Sequence, residues 1–206
     1  MISMKTFMNN SPMTRRTALG AFSGAILATA VPAWALSPSE AEAVVTKMID
    51  DINTQVLGAS SQVQGVAAFE AALLKYADVN AISRYVLGAS GRGVSRADIN
   101  KFSDAYIGYL SGKYSRRFGD FSGSDIVVLS AQKVKSFIKV DAQAWLASGT
   151  KVNVEFLVSD KSGSTRVFNI FVEGVNLLLT ERTEVGALLE ARGGSIAQLT
   201  KDLPTL

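Results

Sequence analysis

The spacing of apolar residues changes its period at Gly119, and that change constrains the fold more than any other feature. Before Gly119 apolar side chains recur every three or four positions; after it they alternate, and β-branched residues replace alanine. A helical first half is therefore followed by a sheet. With a return to helical spacing near the C-terminus, the order predicts an α+β fold, with helices packed on an antiparallel sheet.

Ser37-Pro38-Ser39-Glu40 combines a capping serine, a proline at the first helical position and a glutamate at the third, so a helix begins there. Its apolar face runs through Ala41, Val44, Val45, Met48, Ile52 and Val56 until Gly58. Further helices are predicted over Val66–Tyr76, with Phe69 and Leu73 inward, and over Val79–Leu87, opened by Asp78 and closed by Gly88. A longer one runs from Ser95 to about Phe118, with Phe102, Tyr106, Tyr109, Leu110, Tyr114 and Phe118 along one stripe. Predicted strands are Ile126–Leu129, Val134–Asp141, Thr150–Ser159 and Thr165–Glu173, with a hairpin turn at Asp160–Ser164. Two short helices, Glu184–Ala191 and Ser195–Leu203, close the chain around Gly193-Gly194.

Alternation places Val152, Val154, Phe156 and Val158 on one sheet face, opposite Lys151, Asn153 and Glu155. Val134, Ile138 and Val140, and then Phe168, Ile170 and Val172, repeat the pattern, so one face is strongly apolar. On spacing alone this face is either close-packed core or a cavity wall. The aromatic stripe likewise suits a wall with one dry and one wet end, or an ordinary helix interface.

The 206 residues include no Cys and no His. That removes disulfides, thiolate or imidazole metal sites, cysteine nucleophiles and Ser-His-Asp triads. The basic balance also has a local origin: Lys5, Arg15 and Arg16 stand in residues 1–35 without an acid, and the rest of the chain is neutral, which withdraws support from a nucleic-acid partner. Residues 1–35 read as a secretory signal peptide. An apolar run from Ala18 to Val31, too short to span a bilayer, leads to Ala33-Trp34-Ala35, a small-residue cleavage pattern. Thr14-Arg15-Arg16-Thr17-Ala18-Leu19 resembles a twin-arginine export signal, with the general secretory route as the alternative.

Asp78-Val79-Asn80-Ala81-Ile82-Ser83-Arg84-Tyr85-Val86-Leu87-Gly88 resembles the D-x-x-x-I-S-R-Y-V-L-G block of the MlaC family, the toluene-tolerance auxiliary component of an ABC transport system. Phe102, Tyr106, Tyr109, Leu110 and Tyr114 resemble its spaced aromatic helix. Val172-Glu173-Gly174-Val175-Asn176-Leu177 and Arg182 resemble its E-G-V strand and the turn after it. The blocks cover nearly all of residues 36–206. Departures occur around Arg166-Val167-Phe168-Asn169 and at Glu181, which stands where the family has tyrosine.

The resemblance implies a nuclear-transport-factor-2-like (NTF2-like) cone with an added helical subdomain, formed by residues 36–206 as one lipid-binding domain. It implies a periplasmic phospholipid carrier, working between an outer-membrane lipoprotein–porin complex and an inner-membrane ABC transporter complex with its MCE-domain protein, maintaining outer-membrane lipid asymmetry and needing no cofactor or metal. Two acyl chains hold about 30 methylenes, whose exposure to water costs about 24 kcal/mol at about 0.8 kcal/mol each, so a carrier must enclose them. The expected lining is Tyr85, Tyr106, Tyr109 and Leu110 from the helices. From the sheet it is Val134, Ile138, Val140, Val152, Val154, Phe156, Val158, Phe168, Ile170 and Val172.

Glu173, at a strand end, is expected to be solvated or paired, and Arg84 and Arg182 to form structural salt bridges with acids such as Asp78 or Glu173. The rival functions are an NTF2-like enzyme acting on a small hydrophobic substrate, for which no base with an orienting partner stands out, and a non-catalytic interaction module of the envelope.

Overall fold

The computed structural model describes residues 36–115, 126–146 and 148–206. Residues 1–35, Phe118 and Gly119 lie outside the described residues. Helix α1 spans Pro38–Asp51 and continues through a π-helical turn, Ile52–Val56. The predicted capping box is formed: Ser37 Oγ accepts the Glu40 amide at 3.2 Å, and the Glu40 carboxylate accepts the Ser37 amide at 2.9 Å. Helix α2 spans Gln62–Tyr76, and α3 spans Val79–Leu87 between its Asp78 cap and Gly88, as the sequence predicts. Helix α4 spans Arg96–Ser115 after a reciprocal Ser95–Asp98 cap.

Among the described residues five strands follow, β1 Ile126–Val134, β2 Phe137–Trp145, β3 Lys151–Ser159, β4 Arg166–Val172 and β5 Val175–Asn176, paired antiparallel in chain order. Register irregularities in β1–β2 at Val128/Ser130 and in β3–β4 at Leu157/Val158 bend the sheet. Helices α5, Leu177–Glu190, and α6, Ile196–Asp202, close the fold. The architecture is the predicted helical subdomain on a curved antiparallel sheet, as in an NTF2-like cone.

Several boundaries differ from expectation. Helix α2 starts four residues earlier than Val66, because Ser61 caps it by accepting the Gln64 amide at 3.3 Å. The expected strand Val134–Asp141 is two strands: a tight turn at Lys135-Ser136, with Lys135 at φ +54°, ends β1 at Val134 and opens β2 at Phe137. Helix α5 begins at Leu177 rather than Glu184. Asn176 caps it through the Leu179 amide at 3.0 Å, so Arg182 lies within a helix and not in a turn.

Two apolar clusters hold the elements together. In the first, α1 and α2 cover the inner sheet face, burying Val45 and Met48 with Ile138, Val140, Val154 and Val158. Helix α1 packs over β1, β2 and β3. In the second, α3, α4, α5 and α6 bury Val86, Ile99, Phe102, Val185 and Leu199 away from the sheet. Tyr106 belongs to this second cluster and looks back toward the first.

Candidate functional site

A cavity of about 380 Å3 lies between the two clusters, within the size range of ligand pockets, about 300–1,000 Å3. Met48, Ile49 and Ile52 of α1 and its π turn form one wall, and Phe69, Ala72, Leu73 and Tyr76 of α2 another. Helix α4 contributes Tyr106, Leu110 and Tyr114, α5 contributes Leu177, Leu178 and Glu181, and the sheet provides Ile126, Ala144, Val154, Phe156, Val167, Phe168, Ile170 and Val172. The π turn brings Ile52 to the wall, an irregularity of the kind that collects at functional sites.

Among the predicted lining residues, Tyr106, Leu110, Val154, Phe156, Phe168, Ile170 and Val172 face this space. Val134, Ile138, Val140, Val152 and Val158 do not. Ile138, Val140 and Val158 point to the same sheet face, but α1 lies over their part of the sheet and makes it close-packed core. Val134 pairs with Phe137 across the hairpin turn, so it lies on the face opposite Ile138. Val152 pairs with Ala144, which reaches the cavity, while Val152 itself is buried in the first cluster.

On β4 the simple alternation fails. Val158 pairs with Val167 and Leu157 with Asn169, so Phe168 is an extra residue on the bulged strand. Val167 is then buried and reaches the cavity as well. Asn169 turns to accept the amides of Ile170 and Leu178, which fixes the first turn of α5 against the strand.

Tyr85 and Tyr109 also lie outside the lining. Tyr85 is on the surface, with the Arg182 guanidinium 5.0 Å above its ring. The expected salt bridges of Arg84 and Arg182 are not formed among the described residues: Asp78 instead caps α3, accepting the Ala81 amide at 3.1 Å, and the exposed Glu173 carboxylate accepts the Asn153 amide. Tyr109 donates to Glu184.

Among the described lining residues the charged one is Glu181, which periodicity did not single out. Its side chain is 6% exposed, and one carboxylate oxygen accepts both Lys113 Nζ at 2.7 Å and the Tyr114 hydroxyl at 2.5 Å. The other oxygen accepts the Tyr106 hydroxyl at 3.1 Å. Burial and then the Glu181 charge push the Tyr106 hydroxyl far above the usual tyrosine range, so it remains a donor. Lys113 also reaches Glu184 at 2.5 Å. A sequence signal for this cluster existed: Lys113 stands in the middle of the aromatic face of α4, seven residues after Tyr106 and beside Tyr114, where a cation calls for a carboxylate partner.

Tyr76, on the opposite wall, donates to Asp51 at 2.5 Å, and Lys75 binds the same carboxylate at 2.6 Å, tying α2 to the end of α1. Among the described residues no group of acidic, His or Cys side chains could hold a metal ion, and no helix is long and apolar enough to cross a membrane.

The model of the MlaC protein family matches residues 42–205. The chain belongs to the MlaC family. Among solved structures it is similar to a phospholipid-binding protein from Ralstonia solanacearum in complex with a phospholipid, with a TM-score of 0.66 and 16% identity over 79% of this chain and 94% of that one. At that identity the likeness concerns the fold. No curated protein matches the sequence. Family and fold thus agree with the MlaC blocks, and the departure at Glu181 turns out to be the charged group in the cavity wall.

Proposed function

We propose that the cavity encloses the acyl chains of a diacyl phospholipid and that the protein carries it through the periplasm. The observation that carries this reading is an apolar cavity of about 380 Å3, in a member of the MlaC family, where the one charged residue among the described lining residues is already satisfied by protein donors. Methylenes can lie against Glu181 without stripping a bare charge, because its hydrogen bonds are made within the wall. The phospholipid in the related Ralstonia protein supports the same use of the fold.

In this reading residues 1–35 are a signal peptide removed near Ala35, and residues 36–206 are the carrier. The partners are an outer-membrane lipoprotein–porin complex and an inner-membrane ABC transporter with an MCE-domain protein, and the cargo moved between them serves outer-membrane asymmetry. This reading assigns the cavity no catalytic role, and among the described residues the Tyr106 and Tyr114 hydroxyls at the cavity are both bound to Glu181.

Native mass spectrometry tests the reading. Protein from gently lysed cells is expected to carry one phospholipid mass, and delipidated protein to take lipid from vesicles. An apo peak in both experiments overturns it.

A further inference from the structure

Helix α1 and its π turn supply Met48, Ile49 and Ile52 to the cavity wall, so whatever fixes the start of α1 also fixes that wall. The chain just before it is held in three ways. Ser37 forms the capping box with Glu40. The Leu36 side chain packs on the first apolar cluster, to which Ala41 also belongs; an apolar residue before the cap and another fourth in the helix fix the angle at which a chain enters. The Leu36 backbone nitrogen donates to Asp160 Oδ2 at 3.3 Å, where β3 gives way to the turn before β4.

In a chain that still carries residues 1–35 this nitrogen is a neutral amide. Removal of those residues makes it the α-ammonium of the mature chain, with a full positive charge and two further protons to donate. That charge stands two residues before Pro38, the first residue of α1, at the positive end of the helix dipole, and is unfavourable there unless an acid offsets it. Asp160 is already within hydrogen-bond distance, and among the described residues its carboxylate has no other hydrogen-bond or ion-pair partner. Leu36 and Asp160 are both half-buried, which shields the pair in part from solvent.

We propose that cleavage after Ala35 completes the fold: the new Leu36 ammonium pairs with Asp160 and fastens the start of α1, and through it one wall of the cavity, to the β3–β4 turn. This rests on the cleavage site proposed above and is independent of what the cavity holds.

The pair confers a pH dependence that few other groups can obscure. An α-amino group ordinarily titrates at about 7.7–8.0, and with neither His nor Cys in the chain no side-chain type present does so between about pH 5 and 9. The charged groups on the adjoining elements are Glu40 and Glu42 of α1, Lys133 and Lys135 at the end of β1 and its turn, and Asp160 and Lys161; Glu40 is engaged by Ser37, and Lys161 Nζ by Ser136. Pairing raises the folded-state pKa of the ammonium above its unfolded value. The stabilisation is therefore full below about pH 7.7 and is lost as pH rises through the raised value.

The test begins with the intact mass of the exported protein. A first residue other than Leu36 refutes the cleavage site and, with it, the pair. With Leu36 confirmed, the α-amino pKa is measured by nuclear magnetic resonance of leucine-labelled protein, and a value about one unit above the ordinary 7.7–8.0 is expected. Asp160→Asn keeps an oxygen acceptor without the charge and should return the value to that range or below it. In urea unfolding, the folding equilibrium constant of wild type relative to Asp160→Asn should fall about eightfold between about pH 6.5 and about pH 9.5. A wild-type pKa at or below about 7.7 would show that the helix dipole governs the ammonium and overturns the proposal. A raised value that survives in Asp160→Asn assigns the effect to Glu40 and overturns it equally. Should the variant not fold, the wild-type pKa decides the matter.

Discussion

Val154 and Val140 face the same side of the sheet on neighbouring strands, and a tryptophan at each separates cavity from core. Val154 lines the cavity, whereas Val140 is fully buried where α1 covers β2. Val→Trp adds about seven heavy atoms, so at Val154 the indole occupies the space of about seven methylenes. Their exposure removes about 5–6 kcal/mol of binding at about 0.8 kcal/mol each, and a lipid held by that margin is lost. Because the ring enters existing space, lipid-free stability is expected to change by less than about 1 kcal/mol. At Val140 no such space exists, and overpacking costs about 1–3 kcal/mol or more. The assay pairs bound phospholipid per protein, from solvent extraction and mass spectrometry, with urea unfolding of the delipidated protein. Val154→Trp retaining full lipid while losing 1–3 kcal/mol would refute the placement of β3 in a lipid cavity, and the ligand would then have to be sought nearer α4.

Three further outcomes are expected. Intact mass of envelope protein should give Leu36 as its first residue, and Lys at Arg15 and Arg16 should block export if the route is twin-arginine; retention of residues 1–35 refutes the signal peptide. Gly88 sits at φ +55°, and a Cβ there would lie 2.8 Å from Arg182 Nη2, so Gly88→Ala should lose about 1–3 kcal/mol in urea unfolding, with Arg182→Ala restoring only the steric part. Hydrogen bonds from Lys75 and then Tyr76 hold Asp51 below its ordinary 3.8; the unfolded chain takes up this proton first, so the contribution is present above that value and disappears as pH falls below it. The stability gap between wild type and Asp51→Asn should accordingly narrow in acid, and a gap independent of pH would exclude the ion pair as its source.

Local signals in the sequence placed elements well where the chemistry was local. The Ser37 capping box and the Asp78 to Gly88 interval needed no tertiary information, since caps satisfy backbone groups within a turn. Boundaries were misplaced where a local signal was weak or misleading. Gly65 reads as a helix breaker, yet it is buried in the first turn of α2, close to Val56 and Ala59. Lys135-Ser136 contains neither glycine nor asparagine, so nothing advertised the turn that separates β1 from β2. On β4, period-2 counting cannot register an extra residue, and the bulge at Phe168 moved Val167 to the inner face.

The division of the apolar face into core and cavity is a different problem, because both environments select the same residue types. Val140 and Val154 are alike in sequence terms; what separates them is the path of α1, which covers one part of the face and leaves the other open toward α4 and α5. A lipid carrier exploits this ambiguity. Its wall must be as apolar as a core and yet lack a protein partner, so the ligand supplies the contacts that a neighbouring helix supplies elsewhere. The polar residues of such a wall carry the remaining information, since each must be paired with protein or offered to the ligand. Glu181 is paired: Lys113 and Tyr114 donate to one of its oxygens and Tyr106 to the other, so the apolar chains of a ligand can pass it without meeting a bare charge.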